Sequence, residues 1–431
     1  MPTLDVIATL LVMAAVSGWV NHRYLHLPMA IGVMVLSLVG SLALTAVGFL
    51  YLTPLADARV LTPLAEARLA LETMVKSIDL HSVVMEGMLS LLLFAGALHV
   101  DVRLLRSYRN QILLLAVVGT LVSTAIVAYA SSVVLNALGM DLPFVYCLAF
   151  GALISPTDPI AVLGVLKAAK VPKAVETAIA GESLFNDGVA VVLMTLLLGM
   201  IAQGNTPSAH DALALFAREA LGGVAFGAAL GYVGYQMLKR ADDYQVEVLL
   251  TLAMVMGGYT LAHAIGVSGP LAMVVCGLIT GEWGRAGAMS EASRHHVDLF
   301  WELLDTILNA VLFLLIGLEL VVLQFGTQLL VAGAIAIVIT LAARALTVGV
   351  PVALLPRFFR LPRGAAKVLT WCGVRGGVSV ALALSLPPGR ESTAVVVMTY
   401  VVVVFSILVQ GLTVARVARS LGGEAEPVVR H

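Results

Sequence analysis

Ile179-Ala-Gly-Glu-Ser-Leu-Phe-Asn-Asp-Gly-Val-Ala-Val-Val-Leu193 is the stretch on which the reading of this chain turns. Two carboxylates, Glu182 and Asp187, an amide, Asn186, and a hydroxyl, Ser183, stand in a segment that is otherwise apolar and runs on to Ile201. Residues four apart share a helix face, so Ser183 lies with Asp187 and Glu182 with Asn186. In a bilayer each ionised carboxylate near mid-membrane costs about 2.5–3.5 kcal/mol. Two such costs within a turn and a half of helix require partners or a purpose.

The rest of the sequence places that segment in a bilayer. The chain is 60% hydrophobic and 12% charged, where soluble proteins are about 25% charged. Apolar runs long enough to cross a hydrocarbon core recur from end to end. The formal net charge of -1 gives no electrostatic footing for a nucleic-acid partner. Cys147, Cys276 and Cys372 all fall in apolar runs, and an odd set of intramembrane thiols fits neither a disulfide framework nor a metal cluster. The first apolar run starts at Leu4 with no basic segment before it, so it reads as a retained span.

Hydropathy predicts an all-α polytopic membrane protein of about thirteen transmembrane helices. Arg103, Arg106, Arg109, Lys167, Lys170, Lys173, Lys239, Arg240, Arg357, Arg360, Arg363, Arg416 and Arg419 all fall on one side of such a bundle. The other side holds Arg59, Arg68, Lys76, Arg218 and Arg390. The positive-inside rule then sets the N-terminus outside and the C-terminus in the cytoplasm. Between Pro54 and Lys76 the mixed pattern predicts an amphipathic helix at the outer interface. Glu282–Val297 reads as a solvated connection; its adjacent His295 and His296 point to different helix faces and make no metal site. Glu247, Glu302, Asp305 and Glu319 read as boundary acids that reach the interface, and His263 as a hydrogen-bonded packing residue.

Two predicted spans are interrupted. The fifth contains Ser155-Pro156-Thr157-Asp158-Pro159, and each proline removes a backbone donor and disfavours helix before it. The twelfth contains Gly373-Val-Arg-Gly-Gly377, whose glycines loosen a helix. Freed backbone groups at membrane depth must be satisfied by protein or by a water-filled cavity. Paired interruptions in the two halves of a chain point to a transporter built from inverted repeats, with spans one to six and eight to thirteen as the repeats. Half-helix ends carry partial charge, positive at N-termini and negative at C-termini. Asp158 is therefore expected to compensate the N-terminal ends at a crossing, and Arg375 the C-terminal ends.

These motifs together resemble the monovalent cation:proton antiporter family of the NhaP/NHE kind. Thr157-Asp158-Pro159 is similar to that family's unwound-helix motif, and Gly181-Glu-Ser-Leu-Phe-Asn-Asp187 to its ion-site motif. Val267-Ser-Gly269, Phe300-Trp-Glu302, Phe313-Leu-Leu-Ile-Gly-Leu-Glu319 and Gly373-Val-Arg-Gly376 extend the likeness over most of the chain. The resemblance implies that Asp187 is the transport carboxylate and that Ser183 and Thr157, with Asp158 and Asn186 beside them, make the ion site. Na⁺ would be held at Asp187, Ser183 and Thr157. Asn186 stands where electrogenic relatives have a second Asp, which implies electroneutral one-for-one exchange. Glu182 is expected to pair with Arg344 of the eleventh span.

For the whole protein the resemblance implies an exchanger of Na⁺ (or Li⁺) for H⁺ in an inner cell membrane, with no cofactor and no enzymatic activity. It is expected to be a homodimer whose other partners are the cation, the proton and the lipid bilayer. Residues 1–110 and 204–326 would form the scaffold and linker, 111–203 and 327–418 the moving core, and 419–431 a short tail. K⁺/H⁺ exchange is the first alternative; a cation channel, or an intramembrane hydrolase using Asp158 and Asp187, stands behind it. One departure concerns the third span, where the family often has an acid after Phe and this chain has Ala95. Glu86, about two and a half turns earlier, is the nearest replacement.

Overall fold

In lipid every backbone polar group must be satisfied within the protein, and a continuous apolar run can do that only as a helix. The computed structural model describes residues 3–51, 58–158, 160–203, 209–241, 243–323, 326–362 and 364–419, and among them every regular element is helical. Nine helices are long and apolar enough to cross a membrane, among the described residues. The other four of the thirteen spans are the third (Val83–Leu98), the broken fifth, the ninth and the broken twelfth. The ninth is longer than its hydropathy indicates, because Gly269–Ile279 continues as a widened turn through Thr280–Ala288.

Local chemistry sets the ends. Asp243, Ser268 and Ser290 each accept from a backbone N–H of the helix they open, which satisfies donors the helix leaves free. Gly266 ends the eighth span at φ 71, a left-handed conformation that glycine adopts without steric cost. Between the third and fourth spans lies a short helix, Val102–Ser107, opened by Asp101. The amphipathic helix is Ala58–Ser77, with Met74 and Val75 buried, and it packs on the second span; residues 54–57 of the stretch that predicts it lie outside the described residues.

Spans four, five, six, eleven, twelve and thirteen pack on one another, and spans three, seven, eight, nine and ten form a second group. The second group has its own apolar cluster around Trp301, Phe94, Met273 and Val255. Phe94 and Trp301 lie 4.7 Å apart between ring centroids. Ala95 belongs to that cluster and is buried in it, so the position where relatives often have an acid serves packing here. The side chain of Glu86 lies outside the described residues. Where the fourth and fifth spans cross, a Cβ at Gly151 would run into the backbone of Thr124. Small residues allow such close backbone approach in membrane bundles.

Two readings of titratable side chains need correction. Glu247 and Glu319 do not reach the interface; they are 0% and 8% exposed, covered by neighbouring helices of the bundle. His263 is exposed at the C-terminal end of the eighth span rather than packed. The Glu282–Val297 connection is mostly helix; Val297 is fully buried, whereas Trp283, Ser290, Glu291 and Ala292 are exposed. His296 within it stacks on Tyr244, and His295 is exposed.

Candidate functional site

The fifth span opens at Pro156. The fifth span runs as helix through Phe144–Ile154, opens over Ser155 to Asp158, and resumes at Ile160–Ala168; Pro159 itself lies outside the described residues. The Ser155 hydroxyl turns back to the Gly151 carbonyl at 2.7 Å and lies 2.9 Å from the Ser123 hydroxyl. The twelfth span is helix over Ala365–Trp371, open at Cys372 to Gly376, and helix again over Gly377–Leu384. The open segments meet: Asp158 N–H donates to the Val374 carbonyl at 2.7 Å.

Arg375 is fully buried at this crossing and donates to the carbonyls of Ser155 and Pro156, the latter at 2.6 Å. These are carbonyls that the first half of the fifth span leaves free, at its negative end. Asp158 lies against Gly376, immediately before the second half of the twelfth span, so close that a Cβ at Gly376 would overlap its carboxylate. A carboxylate there faces the positive end of that half-helix. Gly376→Ala is expected to strain the crossing by about 1–3 kcal/mol. Cation-driven proton flux in vesicles should fall about tenfold at normal protein yield; a native rate would show that the crossing tolerates the methyl group.

The sixth span, Lys173–Gln203, brings its polar face to the opened segment. Thr157 Oγ1 and Ser183 Oγ are 2.9 Å apart. The Asn186 amide grips Thr157 from both ends: its Nδ2 donates to Thr157 Oγ1 at 3.1 Å and its Oδ1 accepts from Thr157 N–H at 3.4 Å. Asn186 thus positions the residue next to Asp158. Asp187 is 8% exposed, one turn from Ser183 on the same face, and the charges that act on it are Asp158 and Arg375. On the neighbouring face Glu182 forms a two-point ion pair with Arg344, one contact being Nη2 to Oε2 at 2.9 Å. Arg344 also donates to the Leu369 carbonyl at 3.1 Å, which ties the pair to the twelfth span.

Two participants were not legible as such. Ser406 and Gln410, four apart in the thirteenth span, serve the opened twelfth: Arg375 N–H donates to Ser406 Oγ at 2.9 Å, Ser406 donates to Gln410, and Gln410 donates to the Trp371 carbonyl at 3.1 Å. Two polar residues at helical spacing in a run of valines were the available signal. Asp305 of the tenth span is half-buried.

The site therefore combines three buried carboxylates with two buried arginines. Glu182 and Arg344 cancel. Asp158, Asp187 and Arg375 leave one negative charge, beside hydroxyl oxygens of Thr157 and Ser183. Such a set has room for one positive charge, whether a hard monovalent cation or a proton. Among the described residues no group of His, Cys, Asp and Glu has the arrangement of a multidentate metal centre.

Comparison with known proteins gives the family. The family model described as sodium/hydrogen exchanger, transmembrane, matches residues 8–420. A Pseudomonas aeruginosa protein named Na(+)/H(+) antiporter NhaP is 47% identical over 426 residues, 97% of each chain. Na(+)/H(+) antiporter NhaH of Halobacillus aidingensis is 36% identical over 342 residues, 78% of this chain and 82% of its own. The structure of the sodium proton antiporter MjNhaP1 from Methanocaldococcus jannaschii superimposes with a TM-score of 0.75 at 18% identity, covering 98% of this chain and 100% of that one, which establishes a shared fold. With its broken spans crossing at buried charges and a family match along nearly its whole length, this multi-pass membrane protein belongs to the sodium/hydrogen exchanger family.

Proposed function

We propose that this chain exchanges Na⁺ for H⁺ across a cell membrane, one for one, with the two cations competing for Asp187. The observation that carries this is the single uncompensated negative charge at the crossing, set beside the Thr157 and Ser183 hydroxyls. Burial disfavours a bare carboxylate, and a proton or a bound cation each relieve that cost. They cannot both occupy it. If only a loaded site crosses, coupling needs no further machinery. Hard oxygen donors suit Na⁺ and Li⁺. The names of the relatives, all given as Na⁺/H⁺ antiporters where quoted above, favour Na⁺ over K⁺. Family membership removes the footing for a hydrolase or a channel, and exchange of this kind requires no cofactor.

The moving part is the group of spans four to six and eleven to thirteen, residues 111–203 and 327–418. It rocks against residues 1–110 and 204–326, which hold a homodimer together in the inner membrane. The arginine-rich end lies in the cytoplasm by the positive-inside rule. Asn186 carries no charge, which supports electroneutral turnover, although its amide is engaged with Thr157 rather than left to the ion.

The test is proton efflux from inside-out vesicles on addition of Na⁺, Li⁺ or K⁺, with membrane current recorded in parallel. Na⁺-driven proton movement without current is expected. Cation flux with no proton counterflow would overturn antiport, and current during exchange would overturn the one-for-one ratio.

A further inference from the structure

The connection between the third and fourth spans is more ordered than a loop needs to be. Asp101 accepts from Arg103 N–H at 3.0 Å and Leu104 N–H at 3.2 Å, which starts the helix Val102–Ser107. Leu105 is buried on one side of that helix, and a Cβ at Gly181 of the sixth span would meet it. Arg103 and Arg106 are exposed, and Arg109 opens the fourth span. Across from them stands Arg360, which follows Pro356–Phe359 in a left-handed conformation with φ 53; L side chains adopt that conformation rarely. Gln111 Nε2 donates to the Phe358 carbonyl at 2.8 Å and ties the two connections together.

Between these elements lies a cavity of about 490 Å³, lined among others by Arg103, Arg106, Arg109, Arg360, Gln111 and the single acid Glu282. None of the four arginines forms an ion pair with a described residue. The positive-inside bias accounts for arginines at this end of the bundle. It does not account for four of them converging from two distant connections on one concavity, one held there by a left-handed backbone. Unpaired guanidiniums at close quarters repel, and their planar forks match phosphate oxygens two at a time. Phe358, whose carbonyl accepts from the lining residue Gln111, and nearby Leu355 are 40% and 51% exposed. Exposed apolar side chains near a basic pocket at a helix end are a setting in which anionic headgroups bind.

We propose that this cavity binds a phosphate-bearing anion. Its guanidiniums come from the third-to-fourth and eleventh-to-twelfth connections, while Glu282 comes from the continuation of the ninth span. The proposal stands whichever cation the crossing exchanges.

The full-length chain in mild detergent tests it with two probes: retention of cardiolipin by native mass spectrometry, and titration with inorganic pyrophosphate by calorimetry. Arg106→Gln/Arg360→Gln is expected to weaken binding about thirtyfold, the loss of two guanidinium contributions at a membrane surface. Arg390→Gln, at the opposite end of the bundle, should bind as the native chain does. All of these positions are exposed, and thermal melting checks that each variant is folded; Arg103→Gln carries the same test if the double variant is not. Cardiolipin retention without pyrophosphate binding assigns the site to a lipid headgroup. Pyrophosphate that binds and displaces cardiolipin assigns it to soluble phosphates as well, and both results support the proposal. If the native chain binds neither probe, or the double variant binds as tightly as the native chain, the proposal is overturned.

Discussion

Asp187→Asn is expected to abolish Na⁺-driven proton efflux while leaving the protein folded. The substitution keeps the shape of the side chain and its place on the sixth span, one turn from Ser183. It removes the one charge at the crossing that neither Arg344 nor Arg375 fully compensates. A unit charge about 4 Å from a cation contributes about 4 kcal/mol at an effective dielectric of 20. Its loss lowers cation occupancy about a thousandfold. An amide also has no proton to release, so the returning half of the cycle fails for a separate reason. In the proposed mechanism both halves depend on the same oxygen atoms, and no increase in Na⁺ concentration should restore exchange. The variant should elute and melt as the native protein does, because the polar clamp between Asn186 and Thr157 does not involve the substituted atoms. Full exchange by Asp187→Asn would remove Asp187 from the mechanism and leave Asp158 as the next carboxylate to examine.

The sequence made the frame of this site readable because the cost of charge in a membrane is high and local. Prolines at 156 and 159 locate one interruption, and glycines around Arg375 locate the other. Three acids and two arginines inside apolar spans had to find one another, and Glu182 does lie against Arg344. What spacing along one helix does not carry is the partner across the bundle. Nothing in the sequence said that both polar ends of Asn186 would hold Thr157, or that Ser406 and Gln410 would serve the backbone of the twelfth span. Glu247 and Glu319 misled for the same reason. Their positions near span ends are visible in one dimension, whereas the helices that cover them are not.

Removing either member of the Glu182–Arg344 pair is expected to destabilise the protein more than any other single change at the site. Both side chains are buried, at 1% and 6% exposure, and each is the other's charge partner. Deleting one strands the other in a low-dielectric interior, at a cost of about 3–5 kcal/mol. Arg344→Met should be the worse variant, because it also leaves the Leu369 carbonyl without its donor. Glu182→Leu together with Arg344→Met removes both charges, and hydrophobic replacement of a whole buried pair is often neutral or stabilising. The double variant is therefore expected to recover most of the stability lost by either single change, read as the melting transition in detergent. Transport separates the roles further. Asp187, Ser183 and Thr157 are untouched by the double change, so a stabilised double variant that still exchanges Na⁺ for H⁺ would mark the pair as architecture. A double variant that is folded but inactive would instead mean that the bond from Arg344 to Leu369 holds the twelfth span in the position from which Arg375 reaches the fifth. Additive losses of stability in the double variant would contradict the pairing itself, since two independent side chains and not one ion pair would then be supporting the fold.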